Sequence, residues 1–381
     1  HVTKVDPERE KRLPLAYPLY LSQTSAVSVG GSREVTDRNT EETFDLLAAA
    51  DVPTLHEPSA PTHVTDQTRD HADFFAIPEV LNGDTEALVG TLGKGLDRVR
   101  ADLAPDWVEK RVGIRPDGVL GGRIGDTAAG YLMQTAVFEA YIIMNTDSAA
   151  AREANVTEDD RLSPQEARER ALAAEYHLDS EIVYLEYSGT FGGDEAVALL
   201  EAIDDATSWS RVWYGGGLDD SERTAQMLDA GADAVVVGDS FHDIAETERE
   251  VVERARETFD EPPAAETVEE WVAETVALEE ATPTRYLATI PDVSAPEAAA
   301  SEALAAAVDL VLRLDALAAD LTDPDEATLR RELRERALLD EARLTALLGD
   351  ETAVRRLALA LLTDRFGIDD STATRHLAVT L

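Results

Sequence analysis

The sequence predicts an α/β fold, a (β/α)8 barrel of the TIM type with an additional C-terminal all-α domain. Eight segments of strand character alternate with helical segments over residues 1–260, which favours a parallel sheet and a closed barrel. The last three strands end in polar residues or glycines, as strands do where a barrel presents its chemistry. From residue 267 onward the pattern changes to alanine- and leucine-rich helices.

The predicted strands are short apolar runs that end at proline, glycine or polar residues. They lie at 1–7, 26–32, 52–59, 73–82, 140–145, 181–187, 212–217 and 234–240. Helices are expected between them, for example at 40–50 and at 163–176, where the sequence SPQE is the pattern of a capping box. Residues 84–137 are long for one connection, and we expect an insertion there with helical pattern and a glycine-rich stretch.

The segment 267–381 is predicted to form a separate helical domain of unknown role after a proline-containing linker at 261–265. Helices are expected at 267–280, 296–320, 325–347 and 351–366, with a strand considered for 286–290. No catalytic constellation stands out in this segment. Packing or oligomerisation is its expected role, so the protein is expected to be a homo-oligomer, and a chain ending near Asp260 is expected to keep activity.

The composition indicates a protein adapted to high salt. Acidic residues number 77 against 34 basic ones, giving a net charge of −43, and only four residues are lysine. Molar salt shortens the Debye length to about 3 Å and screens the self-repulsion that this charge creates. No basic patch favours nucleic-acid binding, and the absence of cysteine excludes thiolate sites. Without an apolar run of membrane-spanning length or a secretory leader, a cytoplasmic location is expected.

Two glycine turns predict a phosphate site. The turn Gly215-Gly216-Gly217 ends the seventh strand and the pair Gly238-Asp239 ends the eighth. Glycine lets backbone N–H groups approach a phosphate closely, and the last two units are the usual phosphate site of a barrel. The alternative is that both are simply tight turns between strand and helix.

Residues of the first two strands are candidates for binding a metal ion and a phosphate. Asp6 ends strand one and Ser32 ends strand two, so a carboxylate and a hydroxyl would meet at the barrel mouth and could hold Mg²⁺. Asp-Pro can also merely shape a turn. Lys4 lies inside strand one and would pair either with a phosphate or with a carboxylate of the barrel interior.

The sixth strand carries the candidate catalytic group. Glu186 ends this strand between Tyr184 and Ser188, and a carboxylate flanked by hydroxyls can orient or deprotonate an alcohol. The alternative is a polar residue that fills a layer of the barrel core.

Seven motifs fall in order at the expected strand ends: HVTKVDP, SVGGS, FFAIPEVLN, AYIIMNTDS, YLEYSGT, WYGGGL and AGADAVVVGD. Together they resemble the geranylgeranylglyceryl phosphate synthase family of prenyltransferases, including its bacterial heptaprenyl relatives, over residues 1–257. The resemblance implies transfer of a prenyl chain, geranylgeranyl as the expected length, from its diphosphate to the 3-hydroxyl of sn-glycerol 1-phosphate with Mg²⁺. This reaction makes the first ether bond of archaeal membrane lipids and suits a halophilic archaeon.

The resemblance also implies site residues. Glu186 and Tyr184 would be catalytic, and Asp6 and Ser32 would hold Mg²⁺. Glycerol phosphate would be bound by Lys4, Tyr184, Leu185, Glu186, Tyr187, Ser188, Gly189, Gly215, Gly216, Gly217, Gly238 and Asp239.

Two other functions remain open at this stage: an aldolase- or isomerase-like barrel acting on a small phosphorylated molecule, and a non-catalytic paralogue that serves as a scaffold. An apolar groove across the barrel mouth would distinguish prenyl transfer from an isomerase-like function, because only a prenyl substrate needs such a groove. Prenyl transfer would also permit peripheral contact with a membrane.

The acidic composition generates a first prediction. Lowering the ionic strength lengthens the range of repulsion among the carboxylates, so the melting temperature should fall as salt drops below about molar. Calorimetry across a salt series measures this, and a melting temperature that is unchanged in dilute buffer would contradict the halophilic interpretation.

Overall fold

The chain folds into a closed barrel of eight parallel strands, as the sequence predicts. The structure, a computed structural model, describes residues 1–8, 10–31, 35–336, 339, 342–368 and 372–381. Neighbouring strands pair in chain order, and β8 closes onto β1 with Thr3 opposite Val237. The strands are β1 (Val2–Val5), β2 (Ala26–Val29), β3 (Thr54–His56), β4 (Phe74–Val80), β5 (Val137–Ile143), β6 (Ile182–Glu186), β7 (Arg211–Gly215) and β8 (Ala234–Val237).

Helices connect the strands and continue beyond them. Through the barrel they are α1 (Tyr17–Leu21), α2 (Asp37–Leu47), α3 (Asp66–His71), α4 (Thr91–Arg98), α5 (Ala104–Val112), α6 (Gly118–Thr135), α7 (Ala149–Glu153), α8 (Pro164–Ala173), α9 (Gly193–Asp204), α10 (Ser221–Asp229) and α11 (Asp239–Thr258). The C-terminal helices are α12 (Ala265–Thr275), α13 (Thr282–Ala288), α14 (Pro296–Asp320), α15 (Glu326–Glu335), α16 (Arg343–Leu348) and α17 (Glu351–Arg365). π-helical turns at Glu86–Gly90, Val99–Leu103 and Ala174–Leu178 extend their neighbours.

Two expectations for the C-terminal segment are wrong. Residues 286–290 are not a strand, because they lie in and just after α13, which begins at Thr282. Tyr286, Leu287 and Ile290 are buried, and this spacing places them on one face of a helix. The single helix expected at 325–347 is instead two helices, α15 and α16.

Alternation along β6 decides which side chains reach the barrel interior. Val183 and Leu185 are fully buried in the core between barrel and helices. Successive residues of a strand point to opposite faces, so Tyr184 and Glu186 face the barrel axis. Glu186 pairs in register with Gly215 of β7, which brings the predicted base beside the predicted phosphate turn.

The insertion between β4 and β5 is helical. Residues 86–135, here called the helical lobe, run through α4 and α5, turn at 113–117 and return as α6. A Cβ at Gly125 would overlap the backbone of Arg100, so this glycine permits close approach of the two arms. Within the described residues, no helix of the lobe or of the rest of the chain is long and apolar enough to cross a membrane.

The C-terminal helices share one apolar core with the barrel. A single cluster of buried side chains includes Val5 of β1, Phe241 of α11 and Leu310 of α14. Tyr286 of α13 is fully buried, donates or accepts a hydrogen bond at 2.7 Å with Thr3 Oγ1, and packs against Phe241. The division into two domains near residue 260 stays a prediction, and this contact provides a way to test it.

Truncation of Tyr286 tests whether barrel and C-terminal helices unfold together. We expect Tyr286→Ala to lower the free energy of unfolding by about 3–5 kcal/mol, the usual cost of removing a buried aromatic ring. Denaturant unfolding followed by circular dichroism should show one transition shifted as a whole, while Tyr176→Ala, at an exposed tyrosine, should change it little. Two separate transitions, with only one of them shifted, would instead support independent domains.

Candidate functional site

One large cavity opens at the carboxyl ends of the barrel strands. Its volume is about 2150 Å³, well above the roughly 300–1,000 Å³ of ordinary small-molecule sites. Polar residues of the barrel form one end, and apolar residues of the helical lobe form the other. The cavity therefore combines a polar site with a long apolar extension.

Most of the predicted site residues line this cavity. They are Lys4, Asp6, Tyr184, Glu186, Ser188, Gly189, Gly215, Gly216, Gly217, Gly238 and Asp239. Leu185 and Tyr187 do not line it: the Leu185 side chain is buried in the outer core, and Tyr187 Oη donates to Glu195 Oε2 at 3.0 Å. Both point away because they alternate with Tyr184 and Glu186 along the chain. Ser32, the second predicted Mg²⁺ ligand, lies outside the described residues.

Lys4 forms an ion pair inside the barrel. Its Nζ donates to both carboxylate oxygens of Glu57 at 3.0 Å, and Glu57 also accepts from Tyr141 Oη at 2.8 Å and Ser28 Oγ at 3.1 Å. Burial lowers the pKa of Lys4, but Glu57 and its other anionic neighbours outweigh burial and raise this pKa well above its ordinary value. Lys4 therefore carries a fixed positive charge. Glu57 was not identified from the sequence.

Glu186 has a free oxygen beside the cavity. Ser188 Oγ donates to Glu186 Oε1, whereas Glu186 Oε2 is buried without a hydrogen-bond partner among the described residues. Burial raises the pKa of Glu186, and the Lys4 ammonium opposes part of this rise. An unpaired buried carboxylate oxygen is costly, and because Glu186 lines the cavity, a hydroxyl bound there is a candidate partner for Oε2.

Tyr184 lines the cavity two residues before Glu186 on β6. Its ring packs 4.5 Å from the ring of Tyr141 and 6.4 Å from that of Trp213, measured between centroids. A Cβ at Gly215 would overlap the Tyr184 hydroxyl, so glycine at this position makes room for the ring. Burial raises the pKa of Tyr184 well above its ordinary value, and the phenol therefore stays protonated as a hydrogen-bond donor.

The glycine turn after β7 is held with its amide groups free. Tyr214 Oη donates to the Gly216 carbonyl at 3.0 Å, and Arg223 donates to the Gly217 carbonyl at 3.1 Å. Gly216 and Gly217 have φ of +151° and +56° and N–H groups without a partner in the described part of the chain. Free amides in such a turn form a binding site for an anion.

The N-terminus of α11 adds donors to the same anion site. Gly238 is its N-cap, and the Ser240 hydroxyl donates to the Leu218 carbonyl at 2.9 Å, which joins the β8 turn to the β7 turn. A 20-residue helix places a partial positive charge at this end. Asp239 would repel an anion, but Lys11 Nζ lies 2.6 Å from Asp239 Oδ1 and neutralises it.

Asp6 is fixed at the mouth by a neutral histidine. Its backbone N–H donates to His242 Nε2 at 3.0 Å, while the other ring nitrogen of His242 lies 3.0 Å from the Arg12 carbonyl. One nitrogen must accept and the other must donate, so the ring is neutral, and burial lowers the pKa of His242 accordingly. Lys11 also pairs with Asp6 Oδ2, at 2.6 Å.

The oxygen donors around Asp6 suit a hard cation, but a lysine ammonium lies in the same place. A Cβ at Gly31 would lie 3.3 Å from Asp6 Oδ1 and 3.4 Å from Glu8 Oε1, so two carboxylates face the space left by one glycine. Oxygen donors of this kind are the ligands that Mg²⁺ prefers, with water and substrate phosphates completing the shell. The Lys11 ammonium occupies the cationic position between Asp6 and Asp239. No group of three or more potential metal ligands occurs within the residues that the structure describes.

The sequence indicates the helical pattern behind the apolar wall, but not the contribution of the C-terminal helices to the cavity. Leu92, Leu96, Val99, Leu103 and Trp107 of the helical lobe line the cavity, and their spacing of three and four is a signal that the sequence does contain. Arg285 of α13 also lines the cavity, near Asp243 of α11. No local pattern indicates Arg285, since its position depends on packing between distant segments.

Comparison with known proteins identifies relatives of the barrel. The model of the PcrB family matches residues 1–256, so the match ends within α11. Geranylgeranylglyceryl phosphate synthase of Natronomonas pharaonis is 32% identical over 267 residues, which are 68% of this chain and 96% of the relative. The enzyme of the same name from Haloquadratum walsbyi is 30% identical over 248 residues, 64% of this chain and 87% of the relative.

A solved structure with a similar barrel is the wild-type GGGPS from Thermoplasma volcanium. Its TM-score is 0.45 at 19% identity, over 63% of this chain and 84% of that chain.

Gly238→Val tests the anion site. A Cβ at Gly238 would lie 3.5 Å from Lys4 Cβ, an ordinary contact, so the backbone there accepts a side chain, and the two methyl groups of valine would fill space beside the turn. We expect the dissociation constant for inorganic phosphate to rise at least about tenfold, as one lost charge-assisted contact would give.

Calorimetric titration with phosphate measures this effect. Gly130→Val is the control, because it introduces the same side chain at a position with no atoms within 4 Å of the new Cβ. Gly216→Val is unsuitable, since its Cβ would overlap Tyr187. Equal phosphate affinity in Gly238→Val and the unaltered protein would remove the anion assignment.

Proposed function

Because this chain belongs to the PcrB family, we propose that its site is that of a prenyltransferase which joins a prenyl diphosphate to sn-glycerol 1-phosphate. The product is geranylgeranylglyceryl phosphate, for which the relatives are named. The reaction forms an ether bond between the glycerol 3-hydroxyl and the allylic carbon of the prenyl chain. Family membership establishes the enzyme class, and the roles of individual residues are proposed from the cavity.

The observation that supports this function most is that one cavity contains both a polar anion site and an apolar wall. The anion site and Glu186 lie at one end, and the apolar wall of the helical lobe continues from them. An isomerase or aldolase that acts on a small phosphorylated molecule has no use for this apolar extension. A prenyl chain does, because its transfer from water to apolar surroundings stabilises binding by about 25 cal/mol per Å² of buried surface.

The glycerol phosphate is proposed to bind at the anion site. The free amides of Gly216 and Gly217 and the N-terminus of α11 would hold the phosphate, with Lys4 and Lys11 supplying positive charge nearby. Glu186 would then lie within reach of the glycerol 3-hydroxyl, since Glu186 pairs in register with Gly215. Position and charge together select a phosphorylated alcohol as the acceptor.

Asp6 is proposed to hold Mg²⁺, with Glu8 close by and the diphosphate oxygens and water as the remaining ligands. When bound, Mg²⁺ supplies positive charge that stabilises the departing diphosphate. Lys11 would have to move away from Asp6 to admit the ion, and Lys11 could then keep its ion pair with Asp239.

Glu186 is proposed to orient the acceptor and take its proton. The bond between the allylic carbon and the diphosphate oxygen breaks with its electron pair on the diphosphate, and the glycerol oxygen bonds to that carbon. The proton of the hydroxyl passes to Glu186 Oε2, the unpaired oxygen. Tyr184 would donate a hydrogen bond across the cavity and keep water from the reacting carbon.

The raised pKa of Glu186 suits it to this role. A base works best when its pKa lies near the working pH, and burial moves Glu186 upward from its ordinary value. Since only the carboxylate can accept the proton, turnover should decrease as the pH falls through this raised pKa.

Glu186→Gln tests the proposed function of the base. Glutamine keeps the shape and one acceptor oxygen but cannot take a proton, so we expect turnover to fall by roughly 10²–10⁴-fold. The assay is transfer of labelled geranylgeranyl from its diphosphate to sn-glycerol 1-phosphate at saturating substrates, and binding of a non-hydrolysable prenyl diphosphate should change little.

Glu195→Gln is the matched control, because Glu195 bonds to Tyr187 and Arg161 outside this cavity. A loss below about tenfold in Glu186→Gln would demote Glu186 to a residue that only positions the acceptor. Absence of transfer by the unaltered enzyme with every prenyl length would contradict the proposed reaction itself.

A further inference from the structure

The tip of the helical lobe exposes an unusual concentration of apolar side chains. Twelve large apolar side chains are exposed in the described part of the chain, and eight of them lie in the lobe. At the turn between α5 and α6 the exposed fractions are 68% for Val112, 71% for Ile114, 78% for Val119 and 63% for Leu120. A group of exposed apolar side chains of this kind marks an interaction site.

This apolar tip continues into the cavity wall. Trp107 and Tyr131 are exposed on the lobe and also line the cavity, so they lie between its interior and the outer surface. Tryptophan and tyrosine favour the boundary between water and lipid, because each combines an apolar ring with a polar group. The lobe therefore forms one apolar surface from the prenyl end of the cavity to the tip.

The region around the tip lacks the large acidic excess of the whole chain. Residues 107–123 contain four basic residues and two acidic ones, whereas the chain as a whole carries −43. Arg111 lies 4.3 Å above the Trp107 ring, and Arg123 has no ion pair within the described residues. Lys110 and Arg115 pair with Asp66 and with Asp106 and Glu109. A local positive surface with apolar side chains is complementary to an anionic lipid bilayer.

We propose that residues 112–120 insert into the surface of an anionic lipid bilayer and hold the cavity mouth against it. This inference rests on the proposed function, since a prenyl substrate and its lipid product would then exchange with the bilayer along the apolar wall. A bilayer is favoured over a protein partner for two reasons. The aromatic residues Trp107 and Tyr131 lie on the same lobe. Arg111 and Arg123, without an ion pair among the residues that the structure describes, lie close to the tip in the chain. Molar salt limits electrostatic attraction and repulsion alike to about 3 Å, so only the groups of the tip that touch the bilayer directly contribute to binding.

Flotation with phosphatidylglycerol vesicles in 2 M KCl tests the proposal. The full-length protein should float with these vesicles, and less of it with phosphatidylcholine vesicles. The triple variant Ile114→Ser, Val119→Ser, Leu120→Ser should bind roughly 10³-fold more weakly, given about tenfold for each of the three large apolar side chains. Tyr176→Ser is the matched control, because Tyr176 is exposed by 70% but lies outside the lobe, and it should float as the unaltered protein does.

A soluble assay separates this proposal from the proposed function. With a short, water-soluble prenyl diphosphate and no vesicles, the triple variant should turn over normally, since none of its three positions lines the cavity. Equal flotation of the triple variant and the unaltered protein would overturn membrane docking even if transfer proceeds. Light scattering that shows an oligomer dissociating in the triple variant, without vesicle binding, would overturn it in favour of contact between copies of this chain.

Discussion

The ammonium of Lys4 is the charge on which the barrel interior depends. It lies among the carboxylates of Glu139 on β5, Glu186 on β6 and Glu57, which directly follows β3. Burial raises the pKa of Glu139 and Glu186 in this environment. An unpaired charge in such a place is strongly unfavourable, so removal of the ammonium would leave these carboxyls protonated or force them apart. Lys4 and Gly238 line the same cavity as Glu186, so the ammonium lies in the cavity that contains both the base and the anion site.

Strand ends were the most predictable part of this molecule. The barrel, the glycine turns and Glu186 all follow from short apolar runs that stop at residues with a clear conformational or chemical preference. Alternation along β6 could also have excluded the side chains of Leu185 and Tyr187, had it been applied residue by residue. Glu57, Lys11 and Arg285 could not be predicted, because each acts through contacts with residues far away in the chain.

The helical lobe shows how context overrides local preference. Five glycines lie in α6, and each costs about 1 kcal/mol of helix stability relative to alanine. Close approach at Gly121, against Pro116, and at Gly125, against Arg100, compensates through packing that larger residues would prevent. Few lobe side chains are buried, since the apolar ones face a cavity instead of a core. A substrate chain would supply the missing contacts.

The acidic surface and the apolar tip both suit a protein that works in molar salt. In molar salt long-range repulsion is screened, so a chain of charge −43 can approach an anionic surface closely, and contacts over a few ångströms decide the outcome. Salts that are excluded from protein surfaces also strengthen apolar association. Exposed large apolar side chains are concentrated in the lobe, which places apolar contact on the side where the cavity opens. Orientation thus follows from where apolar side chains are exposed rather than from long-range charge.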